Sequence, residues 1–394
     1  MTLDTDIAPS SGGSSSPVLE RAVTLVATGA TAPPGVCLAV SRDGRIEFAA
    51  RGVAQAYDDA GPIAAPAPVT PRTRTDVGSV TKIVATTAAL MALVDVGELT
   101  LERRLSELLP WAATAPCAGA TIAQLLQHRA GLWEWWPLYV SASDPEAAVR
   151  AAAALPLRYR PDHNRHYSDL GFMLLGAVVA TASGRATIAE AASELVLAPL
   201  RLADTAYAHP TPGEPVMASA NGDAIERRMI ATGDPYPVTV EAHGFTKWRD
   251  HVLVGEVNDG NAFHAFGGAA GHAGLFSTGD DLLRFGDALL AALRGGGSGR
   301  DSAAPRARAA TARRFLTPGA DPGQGLGLRR WQLDGGDEAW GHTGFPGVAV
   351  AILPDYDASV ALVTNRLHVH GTPAATEPMW QVALQAARDH CRRT

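Results

Sequence analysis

The stretch VGSVTKIVATTAAL, residues 77–90, sets a serine three residues ahead of a lysine and then runs on in small apolar residues. Residues three apart share one face of a helix, so Ser79 and Lys82 are expected to adjoin. Burial and the positive end of the helix dipole both disfavour a charge on Lys82. The expectation is a neutral amine beside a hydroxyl, which is a base beside a nucleophile. The same first turn offers a backbone N–H to a developing oxyanion. S-x-x-K also arises by chance, but a lysine in so apolar a flank needs a reason.

Working outward, the chain before this stretch reads as helix and hairpin. Ser16 followed by Pro17 starts a helix reaching about Thr28, the hydroxyl capping and the proline sitting where no N–H is needed. Two β-rich runs then flank Asp43-Gly44, a hairpin signal. After the stretch, residues 79–293 are mostly helical in pattern. Thr121 with Gln124 and Thr187 with Glu190 have capping-box spacing, Gly184 stops an apolar helix, and Ser277 or Thr278 caps another. Residues 294–310 read as a loop rich in Gly, Ala and Arg. Strands return in GLGLRRWQL, GVAVAILP and SVALVTNR, and a helix from about Thr376 to His390 follows. Strands at both ends and helices between them predict an α/β (α+β) lobe with an antiparallel sheet of five or more strands, flanked by helices, and an inserted all-α lobe. The expected divisions are a disordered lead-in over 1–16, a sheet lobe from 17–78 and 311–394, and a mainly helical lobe over 79–310. A cleft between lobes is where sites form.

Two more stretches bear on chemistry. HNRHYSDLGFMLLG places Tyr167 in a polar loop just before an apolar helix, and AWGHTGFPGVAVAILP places His342-Thr343-Gly344 at the head of a strand. Ser79-x-x-Lys82, Tyr167-Ser168-Asp169 and His342-Thr343-Gly344, in that order, resemble the serine β-lactamase and penicillin-binding-protein superfamily. The class C β-lactamase-like branch, with its esterases, D-amino-acid peptidases and acyltransferases, is the nearest in pattern. LLQHRAGL (125–132) and GGAAGHAGLFSTGDDLLRF (267–285) look like the same branch, and the likeness spans roughly residues 36–365. It implies a β-lactamase/transpeptidase-like fold and acylation of Ser79. Lys82 and Tyr167 would share the proton transfers, with either of them the base. The backbone N–H groups of Ser79 and Phe345 would form the oxyanion hole.

Two departures shape the expected substrate. Many relatives carry lysine at His342, and an imidazole attracts a carboxylate weakly near pH 7. Many carry asparagine at Asp169. A carboxylate there cannot donate to a substrate carbonyl; if it faces the cleft it repels anions and holds Lys82 as a cation, and otherwise it serves the helix N-terminus. Both changes favour a neutral ester or amide over a β-lactam. Substrate-binding candidates are therefore His342, Thr343, Gly344 and Asp169, joined by Trp133, Trp135 and Trp136 of GLWEWWPLY as an apolar pocket wall or, alternatively, a cap on the helical core.

The expected activity is a serine hydrolase, foremost a carboxylesterase on neutral small or medium acyl esters. Acyl transfer or thioesterase-like chemistry, D-amino-acid peptidase or weak β-lactamase action, and an inactive ligand-binding relative are the alternatives. No cofactor and no metal is expected. His163 with His166 and His368 with His370 lack a convincing set of further ligands, and His128 and His272 read as structural. The partner is a small-molecule acyl substrate. A net charge of −7 argues against nucleic acid, and no apolar run near ~20 residues points to a membrane. Three scattered cysteines without C-x-x-C spacing and a start without a signal-peptide pattern fit a cytoplasmic protein.

Overall fold

A computed structural model describes residues 16–207, 214–240, 242–295 and 309–393. The expected lead-in (save Ser16) and most of the 294–310 loop lie outside the described residues.

The centre is a six-stranded antiparallel sheet. Its strands are β1 (Gly35–Arg42), β2 (Arg45–Gly52), β3 (Arg329–Gln332), β4 (Glu338–Thr343), β5 (Ala349–Leu353) and β6 (Ala358–Thr364), in the spatial order β2-β1-β6-β5-β4-β3. The first two strands form the predicted hairpin: Arg42 pairs with Arg45, and Asp43 and Gly44 take φ of 51° and 72°, as a two-residue type I′ turn requires. β1 then pairs with β6, Val36 opposite Thr364, so the two ends of the chain close one sheet. The C-terminal side supplies four strands where three were expected. The extra one is β4, whose Glu338–Thr343 carries the His-Thr pair at its end rather than at the head of the next strand.

Alternate residues of the strands feed two cores, as the period of two demands. Val36, Leu38 and Val40 face α1 (Pro17–Val26) and the C-terminal helix α5 (Thr376–Arg393), where Trp380 is fully buried. Cys37 and Ala39 face the other way, into a larger core shared with the helical region. Burying each large side chain contributes roughly 1.5–3 kcal/mol relative to exposure.

On that inner face lies α4 (Gly279–Leu293), capped by the Thr278 hydroxyl. Its Asp287 accepts hydrogen bonds from Ser41 Oγ and Ser359 Oγ, each at 2.7 Å. The sequence reading grouped this helix with the helical lobe; these two bonds tie it to the sheet. The helical run Gly78–Asp95 has the length and hydropathy of a membrane span yet is 78% buried in the protein, which is the environment of a core helix.

Candidate active site

Three elements bring the predicted residues together. The first is the Ser79 turn. Gly78–Val80 is a 3₁₀ turn, Lys82–Thr87 is wound as a π-helix, and α2 (Ala88–Asp95) continues it. A single α-helix was expected. The wider turn coincides with an outside bond, Thr86 Oγ1 donating to Gly271 O at 2.7 Å, and π turns recur at functional sites. Gly78 has φ +50°, and a Cβ there would stand 2.5 Å from Pro346 Cδ and 3.3 Å from Phe345 N. The Phe345 amide is thus packed against the turn that presents Ser79. Gly344 is held as closely, since a Cβ on it would meet Val77 O at 2.2 Å.

The second element is the loop into α3 (Asp169–Ser183). Ser168 caps this helix, accepting from Gly171 N, and its own N–H donates to His128 Nδ1 at 3.0 Å. His128, just past the helix Ile122–Leu126, therefore closes a helix end and also props up Tyr167, whose ring lies 4.5 Å from its own.

Lys82 is fully buried. Its Nζ donates to Ser79 Oγ at 2.8 Å and to His272 O at 3.3 Å, and forms an ion pair with Asp169 Oδ1 at 2.7 Å. A ring of oxygens, one of them a carboxylate, suits an ammonium. Burial by itself would lower the lysine pKa, but Asp169 and Tyr167 hold it above the ordinary value. The expected neutral amine is thereby corrected: the carboxylate three residues into the Tyr-Ser-Asp loop outweighs desolvation. Asp169 does both jobs weighed for it, standing in the first turn of α3 and pairing Lys82. Tyr167 interacts with Lys82 and Ser79, yet burial keeps its phenol above the usual tyrosine pKa, so it is neutral at pH 7.

The third element is the end of β4. His342 is buried, and its Nδ1 donates to Thr343 O at 2.7 Å. That bond leaves Nε2 without a proton; it is buried and has no partner among the described residues. Burial first, then the Lys82 charge, pushes this imidazole well below its usual pKa. The partly charged imidazole expected from sequence is a neutral one.

The tryptophans adjoin the loop that carries Tyr167. Trp135 and Trp136 are buried, Trp136 in the helical core, and Trp135 N donates to Tyr236 Oη at 2.7 Å. Trp133 O accepts from Ser168 Oγ, and Glu134 O accepts from Asp169 N. His272 pairs through Nε2 with Asp259 Oδ1 at 2.9 Å. His368 and His370 stack on Tyr57, and His166 on Tyr159.

Three residues here were missed in the sequence. Asp76 is buried and accepts from Gly78 N at 2.8 Å and Asn258 N at 2.6 Å, fixing the turn that carries Ser79; burial pushes its carboxyl up to about 6. The Arg165 guanidinium carbon lies 6.0 Å from the Tyr167 ring centre, and Arg329 donates to Thr343 Oγ1 at 3.4 Å; both act electrostatically on His342. Arg165 lies two residues before Tyr167 in HNRHYSD, where the histidines drew attention, and Arg329 opens β3 as an ordinary strand residue would.

The sequence profile of the Beta-lactamase family matches residues 24–384. An N-acetylmuramyl-L-alanine amidase of Bacillus subtilis is 32% identical over 359 residues, which is 85% of this chain and 78% of that protein. A putative D-alanyl-D-alanine carboxypeptidase of Escherichia coli is 27% identical over 362 residues, 85% of this chain and 79% of that protein. The crystal structure of SurE superposes with a TM-score of 0.64 at 26% identity, covering 95% of this chain and 74% of that one. A class C β-lactamase from Rhodobacter sphaeroides shares the fold, with a TM-score of 0.62 at 18% identity over 95% of this chain and 97% of that one.

Proposed function

The chain belongs to the β-lactamase family of serine hydrolases, and from that premise we propose that Ser79 is the nucleophile that takes up the acyl group of a carboxylic amide or ester. The observation that carries this is the 2.8 Å bond from the buried Lys82 ammonium to Ser79 Oγ.

Acylation forms a bond from Oγ to the carbonyl carbon and sends the carbonyl π electrons to oxygen, where the Ser79 and Phe345 N–H groups receive the charge. The Ser79 proton needs an acceptor. Lys82 as an ammonium and Tyr167 as a phenol offer none, so the reactive form is the one in which the Lys82–Tyr167 couple has lost a proton. The two titrate together, and one of them then takes the serine proton and returns it to the leaving group. Water, or an added amine or alcohol, resolves the acyl-serine.

Amides are favoured as substrates, on the strength of the amidase and carboxypeptidase relatives. Carboxylester hydrolysis on neutral small or medium acyl esters is the second reading. It is favoured by the neutral His342 and by Phe345, 49% exposed beside the Ser79 turn, which gives the mouth an apolar rim.

A fluorophosphonate should label Ser79 and no other residue, and Ser79→Ala should lose both labelling and p-nitrophenyl ester turnover. Labelling elsewhere, or turnover surviving in Ser79→Ala, would sink the assignment. Matched anilides and esters then rank the two substrate readings; turnover of esters alone removes the first.

A further inference from the structure

Of the two N–H groups assigned to the oxyanion hole, that of Phe345 has the weaker local support. Ser79 opens a buried helical run, whereas Phe345 sits on the turn between β4 and β5 and is 49% exposed. Gly347 N donates to Gly344 O at 3.0 Å and Gly344 N to Val348 O at 2.6 Å. These bonds close the turn but do not aim its second residue. The Phe345 N–H meets no acceptor among the described residues, so its direction depends on what grips the peptide units around it.

The grip comes from β6 and the residues just after it. Thr364 N and Oγ1 both donate to Gly347 O, at 3.1 and 2.9 Å. Arg366 reaches the middle of the turn: its Nε donates to Phe345 O at 2.8 Å, and its guanidinium carbon lies 4.8 Å from the Phe345 ring centre. Its Nη1 donates to Ala374 O at 2.6 Å. One edge of the guanidinium is thus anchored to its own loop, while the rest holds both the carbonyl and the ring of Phe345.

Arg366 is 6% exposed, and these bonds go to main-chain carbonyls rather than to a carboxylate. Burial lowers its pKa to about 10, which leaves it charged at neutral pH. A cation buried without a carboxylate is costly, and what this one secures is Phe345. A charged donor makes the stronger hydrogen bond, and a planar fork fixes a direction that a lysine ammonium would not.

We propose that Arg366 is a positioning residue of the oxyanion hole: by holding Phe345 through its carbonyl and its ring, it keeps the Phe345 N–H aimed at the oxygen that takes up charge when Ser79 attacks. The proposal rests on Ser79 being the nucleophile and on Phe345 sharing the hole. In this role Arg366 acts through Phe345.

Two readouts test it together: turnover of p-nitrophenyl acetate, and inhibition by phenylboronic acid. In the second, Ser79 Oγ adds to boron and the tetrahedral anion places an oxygen in the hole. Removing an oxyanion donor outright costs about 10²–10³ in kcat, so loosening one in Arg366→Met should cost about thirtyfold. The loss should fall in kcat, with KM within threefold, and phenylboronate affinity should drop by a matching factor. Arg366→Lys keeps the charge but not the fork, and should lose about three- to tenfold in both; it carries the test alone if Arg366→Met does not fold. A kcat/KM within twofold of wild type in either variant, or a fall in kcat without a matching fall in phenylboronate affinity, overturns the role. Failure of the nucleophile reads differently: wild-type protein would then resist fluorophosphonate at Ser79, and Ser79→Ala would keep its turnover.

Discussion

Among the buried cation–carboxylate pairs of the described residues, Arg249–Asp223 and Lys82–Asp169 are built differently. Arg249 and Asp223 are 4% and 2% exposed, with Arg249 Nη2 to Asp223 Oδ1 at 2.6 Å and Nε to the same oxygen at 2.9 Å. Val257 O, Asn258 O and His264 complete the set, so nearly every donor is met by protein. Lys82 and Asp169 form a pair in which the cation is sealed while the carboxylate side chain is 19% exposed. One Lys82 acceptor is the Ser79 hydroxyl, and the Lys82 charge reaches His342, whose Nε2 has no partner among the described residues. The first pair is closed by the fold. The second is closed by a group that can react, and that difference marks the site more sharply than burial of charge, which both share.

The largest effect should come from breaking the open pair at its cation. Lys82→Met removes the proton carrier beside Ser79, and acid–base groups of this kind are worth about 10²–10⁴-fold. We expect a loss of kcat/KM at the upper end of that range. Stability should move by less than about 1 kcal/mol, because Asp169 can turn to solvent and avoid an uncompensated charge. A drop in melting temperature comparable to that of the closed pair's variants would erase the contrast.

Breaking the closed pair should do the reverse. Asp223→Asn leaves Arg249 buried with Glu256, at 3.9 Å, as its remaining ion-pair partner within 4 Å among the described residues. Removing one partner of a sealed pair costs about 3–5 kcal/mol. Urea unfolding should show a loss near the lower end, about 3 kcal/mol, while turnover per folded molecule stays within about threefold. Unchanged unfolding would mean that the pair is already hydrated.

The contrast explains what could be seen in the sequence. The sheet was legible because hairpin chemistry at Asp43-Gly44 and period-two burial are local, and the Ser79, Lys82, Tyr167 and His342-Thr343-Gly344 motifs are short runs with fixed spacing. β4 was hidden because EAWGHT, with its small and polar residues, gives no clean alternation. The helix 279–293 has the apolar stripe of any core helix; which core it joins depends on Asp287 meeting Ser41 and Ser359, distant in sequence. Protonation states were least legible. The charge on Lys82 depends on Asp169, 87 residues on, and the neutrality of His342 on burial that a motif does not encode. Arg165 and Arg329 carry no local signal, since a single arginine before a helix or in a strand is ordinary surface chemistry.

Acid should separate the pairs with a smaller effect. Burial would raise the Asp223 carboxyl, but bonds from His264 and Arg249 bring it down to about 2 from the usual 3.8. A depressed carboxyl lends stability that is complete above its unfolded pKa and is lost as pH falls through its folded one. That window runs from about 4 to about 2, and the shift is worth roughly 2 kcal/mol. The difference in unfolding free energy between wild type and Asp223→Asn should therefore shrink as pH falls across it. A constant difference would deny the charge its part.

The open pair responds at the other end of the scale, and in rate rather than in stability. Lys82 holds its proton more tightly than a free lysine because Asp169 and Tyr167 outweigh burial. If attack by Ser79 needs the Lys82–Tyr167 couple to lose a proton, log kcat/KM should rise with pH at unit slope through the alkaline range. Asp169→Asn removes the counter-charge and leaves burial to act, so Lys82 gives up its proton at lower pH. The rising limb should move toward neutrality by about one pH unit, which at fixed pH on that limb is about a tenfold gain, or 1.4 kcal/mol. A variant that only disturbed the α3 N-terminus would lower the whole profile without moving its limb. A profile lowered in that way, with its midpoint unshifted, would show that Asp169 is a helix-capping charge and that the open pair does not govern the proton on which attack depends.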